Sequence, residues 1–122
     1  MAADCVDLLA WQEGVELVRE VVRVSPRVRG TGAGEVVDRL MRAAESVPAS
    51  IAEGCARGLG RDFARFLRIA AASAAEVESH VRVAEAAGRL DAEVALGLVR
   101  RARRVRALVV GLRRSVKRKG AE

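Results

Sequence analysis

Aromatic side chains are nearly missing: two Phe, one Trp and no Tyr in 122 residues. That scarcity argues against base-stacking platforms and aromatic-rich recognition surfaces. A single His, His80, leaves no ordinary zinc constellation. Cys5 and Cys55 stand 50 residues apart with no C-x-x-C, and they read as reduced, packed or inert thiols. Only two prolines interrupt the chain. No run of 18 apolar residues exists, because the alanine-rich stretch around residues 70–75 is flanked by Arg68 and Glu76. Met1-Ala-Ala-Asp-Cys-Val-Asp carries acid where a signal peptide needs positive charge, so a cytoplasmic location is expected.

What remains is 51% hydrophobic and 31% charged, dominated by Ala, Val, Leu, Arg and Glu. This is the composition of a folded, helical chain. The length fits a single domain over residues 1–122, since two cores need roughly 200 residues or more. The net charge of +6 is unevenly placed. Residues 1–99 hold 12 basic and 15 acidic side chains, a net of −3, whereas residues 100–122 hold 10 basic and one acidic, a net of +9.

Apolar periodicity predicts four helices, over about 7–24, 35–57, 62–87 and 91–117. In the first, Leu8, Trp11, Val15, Val18 and Val22 are spaced 3, 4, 3, 4 and form the expected buried stripe, widened by Leu17 and Val21. Ser25-Pro26 ends it, and Gly30-Thr31-Gly32-Ala33-Gly34 reads as a flexible linker. It is no phosphate loop, for no strand precedes it and no Gly-Lys-Ser/Thr follows. The second helix turns Val37, Leu40, Met41, Ala44, Val47, Ile51 and Cys55 inward. Pro48 inside it removes a backbone hydrogen bond and predicts a bend, with Ser46 or Ser50 placed to satisfy a freed carbonyl.

In the third helix Phe63, Phe66, Leu67, Ala70, Ala74, Val77, Val81 and Ala84 keep the period. The fourth has Asp91 at its N-cap and a seam of Leu98, Ala102, Val105, Val109, Leu112 and Val116. Arg100, Arg103, Arg104, Arg114 and Arg118 cluster opposite that seam, with Arg101, Arg113 and Lys117 flanking, so residues 100–119 form a basic helical end. Short connections make the economical fold all-α: an up-down-up-down antiparallel four-helix bundle.

Catalytic constellations are thin. A di-metal carboxylate bundle needs Glu-x-x-His on two helices, and none occurs. His80 lies four residues after Glu76, a surface pair. Glu53 and Glu76 would make an acid pair only if they converged. No catalytic residue, metal site or cofactor is expected, and the chain reads as no enzyme.

One stretch carries a resemblance. Arg42-Ala43-Ala44-Glu45-Ser46-Val47-Pro48-Ala49-Ser50-Ile51-Ala52-Glu53-Gly54 resembles the signature of the bacterial four-helix-bundle family of the 23S ribosomal RNA intervening-sequence proteins. That family typically reads Arg-Ala-x-x-Ser-Ile-Pro-x-Asn-Ile-Ala-Glu-Gly. The likeness continues through residues 62–70 and 73–81, with Leu9-Ala10-Trp11-Gln12 near the start, and covers about residues 8–90. Two departures stand out: Ser50 replaces the usual Asn, and Ala72 replaces the usual Gly before the third-helix Ser. The resemblance implies a ring-shaped homopentamer. It also implies structural roles for Arg42, Ser46, Pro48, Ser50, Glu53 and Glu76 in bending helix two and fixing packing.

One branch of the family comprises the accessory variability determinants of diversity-generating retroelements, which bind nucleic acid and a reverse transcriptase. From the likeness and the arginine ridge together, the expected function is non-enzymatic: an oligomeric nucleic-acid-binding or scaffolding protein, accessory to a reverse transcriptase. RNA or DNA would meet Arg100, Arg103, Arg104, Arg114, Lys117 and Arg118 through phosphate. The alternative is a protein-interaction module whose fourth helix docks on an acidic partner without binding nucleic acid.

Overall fold

The computed structural model describes Cys5, residues 8–58 and residues 60–121, the last three as backbone only. Among these residues there are four α-helices and no strand: α1 (Leu9–Val24), α2 (Ala33–Ala56), α3 (Arg61–Ala86) and α4 (Ala92–Ala121), with a 3-10 turn at Ser25–Arg27. The helices pack in a closed order, α1 on α2, α2 on α3, α3 on α4, and α4 back on α1. Among the described residues no helix is long and apolar enough to cross a membrane.

The core departs from the sequence expectation at α1. Its buried face is Ala10, Gly14, Leu17 and Val21. Trp11, Val15 and Val18 are only half-buried, and Val22 is 54% exposed. The expected stripe of Trp11, Val15, Val18 and Val22 is therefore the flank of α1, while Leu17 and Val21, expected to widen it, belong to the contact face. Gly14 explains the rotation. A Cβ there would meet Val47 Cγ1 at 3.2 Å and Pro48 Cδ at 3.4 Å, so the missing side chain is what lets α2 lie close.

A second close approach joins α2 to α3. A Cβ on Gly54 would lie 2.8 Å from Phe63 Cδ1 and 2.9 Å from Phe66 Cβ. Nearby, the hydroxyls of Ser46 and Ser73 share a 2.8 Å hydrogen bond across the interface. Leu40, Ala44, Val47 and Ile51 from α2 then meet Phe63, Leu67, Ala70, Ala74, Val77 and Val81 from α3. The α4 seam is buried through Leu98, Ala102, Val105 and Val109, while Leu112 and Val116 are half-buried. Pro48 sits inside α2, which runs on through it to Ala56.

The two connections at one end are tied together, so the glycine-rich linker is not loose. The Arg29 amide donates to the Arg89 carbonyl at 3.0 Å, Arg29 Nε donates to the Gly88 carbonyl at 2.9 Å, and its guanidinium reaches Asp91 at 2.9 Å. Gly32, at φ 81°, adopts the left-handed geometry that starts α2. At the opposite end the cysteines also correct the sequence reading. Cys5 and Cys55 are joined as a disulfide with their Cα atoms 6.2 Å apart, because the lead into α1 returns beside the last turn of α2.

Two glycine substitutions separate packing from propensity. Gly54→Ala gains helix propensity of about 1 kcal/mol but overpacks against Phe63, at a cost of roughly 1–3 kcal/mol. A net loss in thermal unfolding followed by circular dichroism is expected. Gly111→Ala has open space around it and should raise stability by about 0.5–1 kcal/mol.

Candidate nucleic-acid interface

The basic residues of α4 fall into two groups with different surroundings. In its first half, neighbouring helices supply carboxylates to Arg101, Arg103 and Arg104, whereas Arg106 is exposed and makes no ion pair among the described residues. Arg104 Nε donates to Glu13 of α1 at 2.7 Å, and Arg101 reaches Glu13 at 3.6 Å and Glu20 at 3.1 Å. On the other flank Arg103 forms a two-pronged pair with Glu78 of α3 at 3.0 and 3.1 Å, and Arg82 adds a third contact to the same carboxylate at 2.8 Å. The side chains of Glu13, Glu20 and Glu78 are only 16%, 18% and 18% exposed. Arg103 and Arg104 thus act first as struts that fasten α4 to its neighbours.

Among the described residues the second half of α4 has no such partners. Arg114, Lys117 and Arg118 are exposed and make no ion pair among the described residues. Arg113 is half-buried, and its Nε is buried without a hydrogen-bond partner. Arg100, nearer the start, is exposed and likewise unpaired among the described residues. The six bases singled out in the sequence therefore divide into two struts and four uncommitted cations.

Sequence reasoning overlooked further bases on α3. Arg61 and Arg68 are exposed and unpaired among the described residues. Arg65 is held 3.8 Å from Asp62 and lies over the Phe66 ring, 4.6 Å from its centroid, with Arg57 at 5.1 Å from the same ring. Their signal was present as a 4, 3 spacing of arginines, which puts Arg61, Arg65 and Arg68 within an arc of about 60° on the helix surface.

The motif residues differ in placement. Ser46 bridges to Ser73, Pro48 packs against Gly14, and Ser50 is half-buried. Arg42 is exposed. Glu53 pairs with Arg57 at 3.6 Å, and Glu76 accepts from His80 Nε2 at 3.2 Å. The Ser46–Ser73 contact sets an antiparallel register in which Glu53 and Glu76 stand about 15 Å apart along the interface. They do not converge. Among the described residues no three His, Cys, Asp or Glu side chains come together as a metal site.

The acidity of the Glu78 carboxyl is displaced by its arginine partners. Hydrogen bonds from Arg103 and then Arg82 hold it below its ordinary value of 4.5. A depressed carboxyl pKa contributes stability above pH 4.5, and that contribution fades as pH falls through the lowered value. Glu78→Gln should therefore lower the melting temperature at pH 7 and narrow its gap to the parent chain as pH drops towards 3. A constant gap across that titration would contradict the clamp.

A search among curated proteins found no match. The family model described as 23S rRNA-intervening sequence protein matches residues 6–111, which take in α1, α2 with its Pro48 motif, α3, and α4 as far as Gly111. With four helices in this order and that match over most of its length, the chain belongs to the 23S rRNA-intervening sequence protein family.

Proposed function

We propose that the chain is a non-enzymatic, oligomeric nucleic-acid-binding or scaffolding protein that holds phosphate through α4. The observation that carries this reading is the uncompensated charge of the second half of α4. Carboxylates from α1 and α3 meet Arg101, Arg103 and Arg104, whereas Arg114, Lys117 and Arg118 face solvent unpaired among the described residues. Like charges three and four residues apart on one helix repel, and a polyanion relieves that repulsion. With so few aromatic rings, contacts to phosphate carry little sequence preference.

Oligomerisation is the second element of the reading. Trp11, Val15 and Val18 of α1 line a shallow apolar groove of about 400 Å³ with Pro48, Ala49 and Ala52 of α2. A second copy covering that face would bury a stripe the monomer leaves open. The family likeness favours a ring-shaped homopentamer with α2 bent at Pro48, acting in the cytoplasm and accessory to a reverse transcriptase. Repeating the basic end around a ring would multiply the field met by an approaching nucleic acid.

Two measurements test the proposal. Light scattering should give a mass of about 65 kDa, five chains of 13.0 kDa, and Val15→Glu with Val18→Glu should reduce it. Filter binding to structured RNA and duplex DNA should weaken steeply with salt. Arg114→Ala, Lys117→Ala and Arg118→Ala together should weaken it at least tenfold at low salt. Binding that is absent at low salt, or indifferent to these substitutions, refutes the nucleic-acid reading and leaves docking on an acidic protein as the use of α4.

A further inference from the structure

The uncommitted bases of α4 do not stand alone. Helices α3 and α4 run antiparallel, with Glu78 level with Arg103. Ten residues further in each direction, about 15 Å along the helices, Arg68 comes level with Arg113. Arg65 and Arg61 follow beside the last turns of α4. Arg114 repeats the azimuth of Arg103 to within about 20°, and Lys117 to within about 40°. Both therefore project towards α3, as Arg103 does. On α3 the positions that share the azimuth of Glu78 towards this end are the half-buried alanines Ala71 and Ala64.

From this juxtaposition we infer that the α3–α4 face at the end carrying the α2–α3 turn is a two-sided cleft for a polynucleotide backbone. Arg61 and Arg68 form one wall, and Arg114, Lys117 and Arg118 form the other. The inference rests on the nucleic-acid reading above and extends it to a helix outside α4.

Three observations carry it. First, the charge is one-sided among the described residues of α3 and α4: the acid on α3 at this end is Asp62, already occupied by Arg57 at 3.8 Å and Arg65 at 3.8 Å. Every base facing the cleft from α3 and α4 is otherwise unanswered among the described residues. Second, Arg113 brings a buried, unpartnered Nε to the same seam. Third, the residues between the walls are small, the half-buried Ala64 and Ala71. Four of the five wall residues are arginine, whose planar fork suits phosphate oxygens better than a lysine-rich patch would. From Arg61 to Arg68 the wall is about 10 Å long, the rise of roughly three phosphates on one strand. The ligand expected is a phosphodiester strand read by charge and spacing, without base contacts.

The test compares the two walls in the full chain. Fluorescence anisotropy with a duplex DNA probe and a structured RNA probe, from 50 to 200 mM salt, reads affinity and its salt slope. Arg61→Ala with Arg68→Ala should weaken binding at least tenfold at 50 mM and lower the slope by about 1.5–2. Arg61→Lys with Arg68→Lys should recover most of it. Arg23→Ala with Arg27→Ala, removing the same charge at the other end of the chain fold, should leave binding within about twofold. Phenylglyoxal modification of the unsubstituted chain gives a readout that needs no variant: bound duplex should shield Arg61 and Arg68 but not Arg27. If the α4 substitutions weaken binding while the α3 pair does not, and Arg61 and Arg68 stay reactive, the cleft is wrong and the α4 reading stands. If neither probe binds, both fall.

Discussion

Close backbone approach at two glycines governs the rest of this fold. Gly14 of α1 receives Val47 and Pro48 of α2, and Gly54 of α2 receives Phe63 and Phe66 of α3. Each contact is a knob entering a space that exists only because a Cβ is missing. Packing at this density transmits position. The rotation of α1 follows from the first contact, and the depth of Phe63 follows from the second. Once α1 is turned to offer Ala10, Gly14, Leu17 and Val21, Trp11, Val15 and Val18 are displaced to the flank. An apolar groove beside Pro48 is the direct result.

The same rotation sets the electrostatics. Turning α1 brings Glu13 and Glu20 to the border with α4, where Arg101 and Arg104 meet them. On the other border Glu78 does the same for Arg103. Partly buried and multiply bonded, these pairs differ from isolated surface ion pairs, which contribute little. They also consume the acidic surplus of the body. Among the bases left unpaired by the described residues, Arg114, Lys117 and Arg118 lie in the C-terminal turns of α4, and Arg61 and Arg68 near the start of α3.

Much of this was legible in the residues. The helix count, the seam of α4 at Leu98, Ala102, Val105 and Val109, the α3 core and the His80–Glu76 pair follow from spacing. The helix ends fall within about two residues of expectation on α1, α2 and α3. Other features were hidden for physical reasons. Hydrophobic periodicity weighs large side chains, so Trp11, Val15 and Val18 outvoted Ala10 and Gly14, although the small residues decide where a helix can approach. Charge runs in sequence do not reveal partners far along the chain, so Arg103 and Arg104 looked equivalent to Arg114 and Arg118. The cysteine link is a meeting of two chain segments 50 residues apart, which no local pattern encodes.

The unequal helix lengths have a consequence for motion. Glu13 beside Arg104 places the first residue of α1, Leu9, level with about residue 108 of α4. Beyond that point α4 continues alongside α3 with no turn of α1 beside it, and its seam residues Leu112 and Val116 are only half-buried. Amide protons there should exchange with solvent through small openings that leave the remaining helices intact, whereas those near Val105 exchange only when the whole fold opens. The end of α4 that carries the unpaired charge is thus also the part of the helix held least firmly, and an anion bridging it to α3 would slow that exchange selectively.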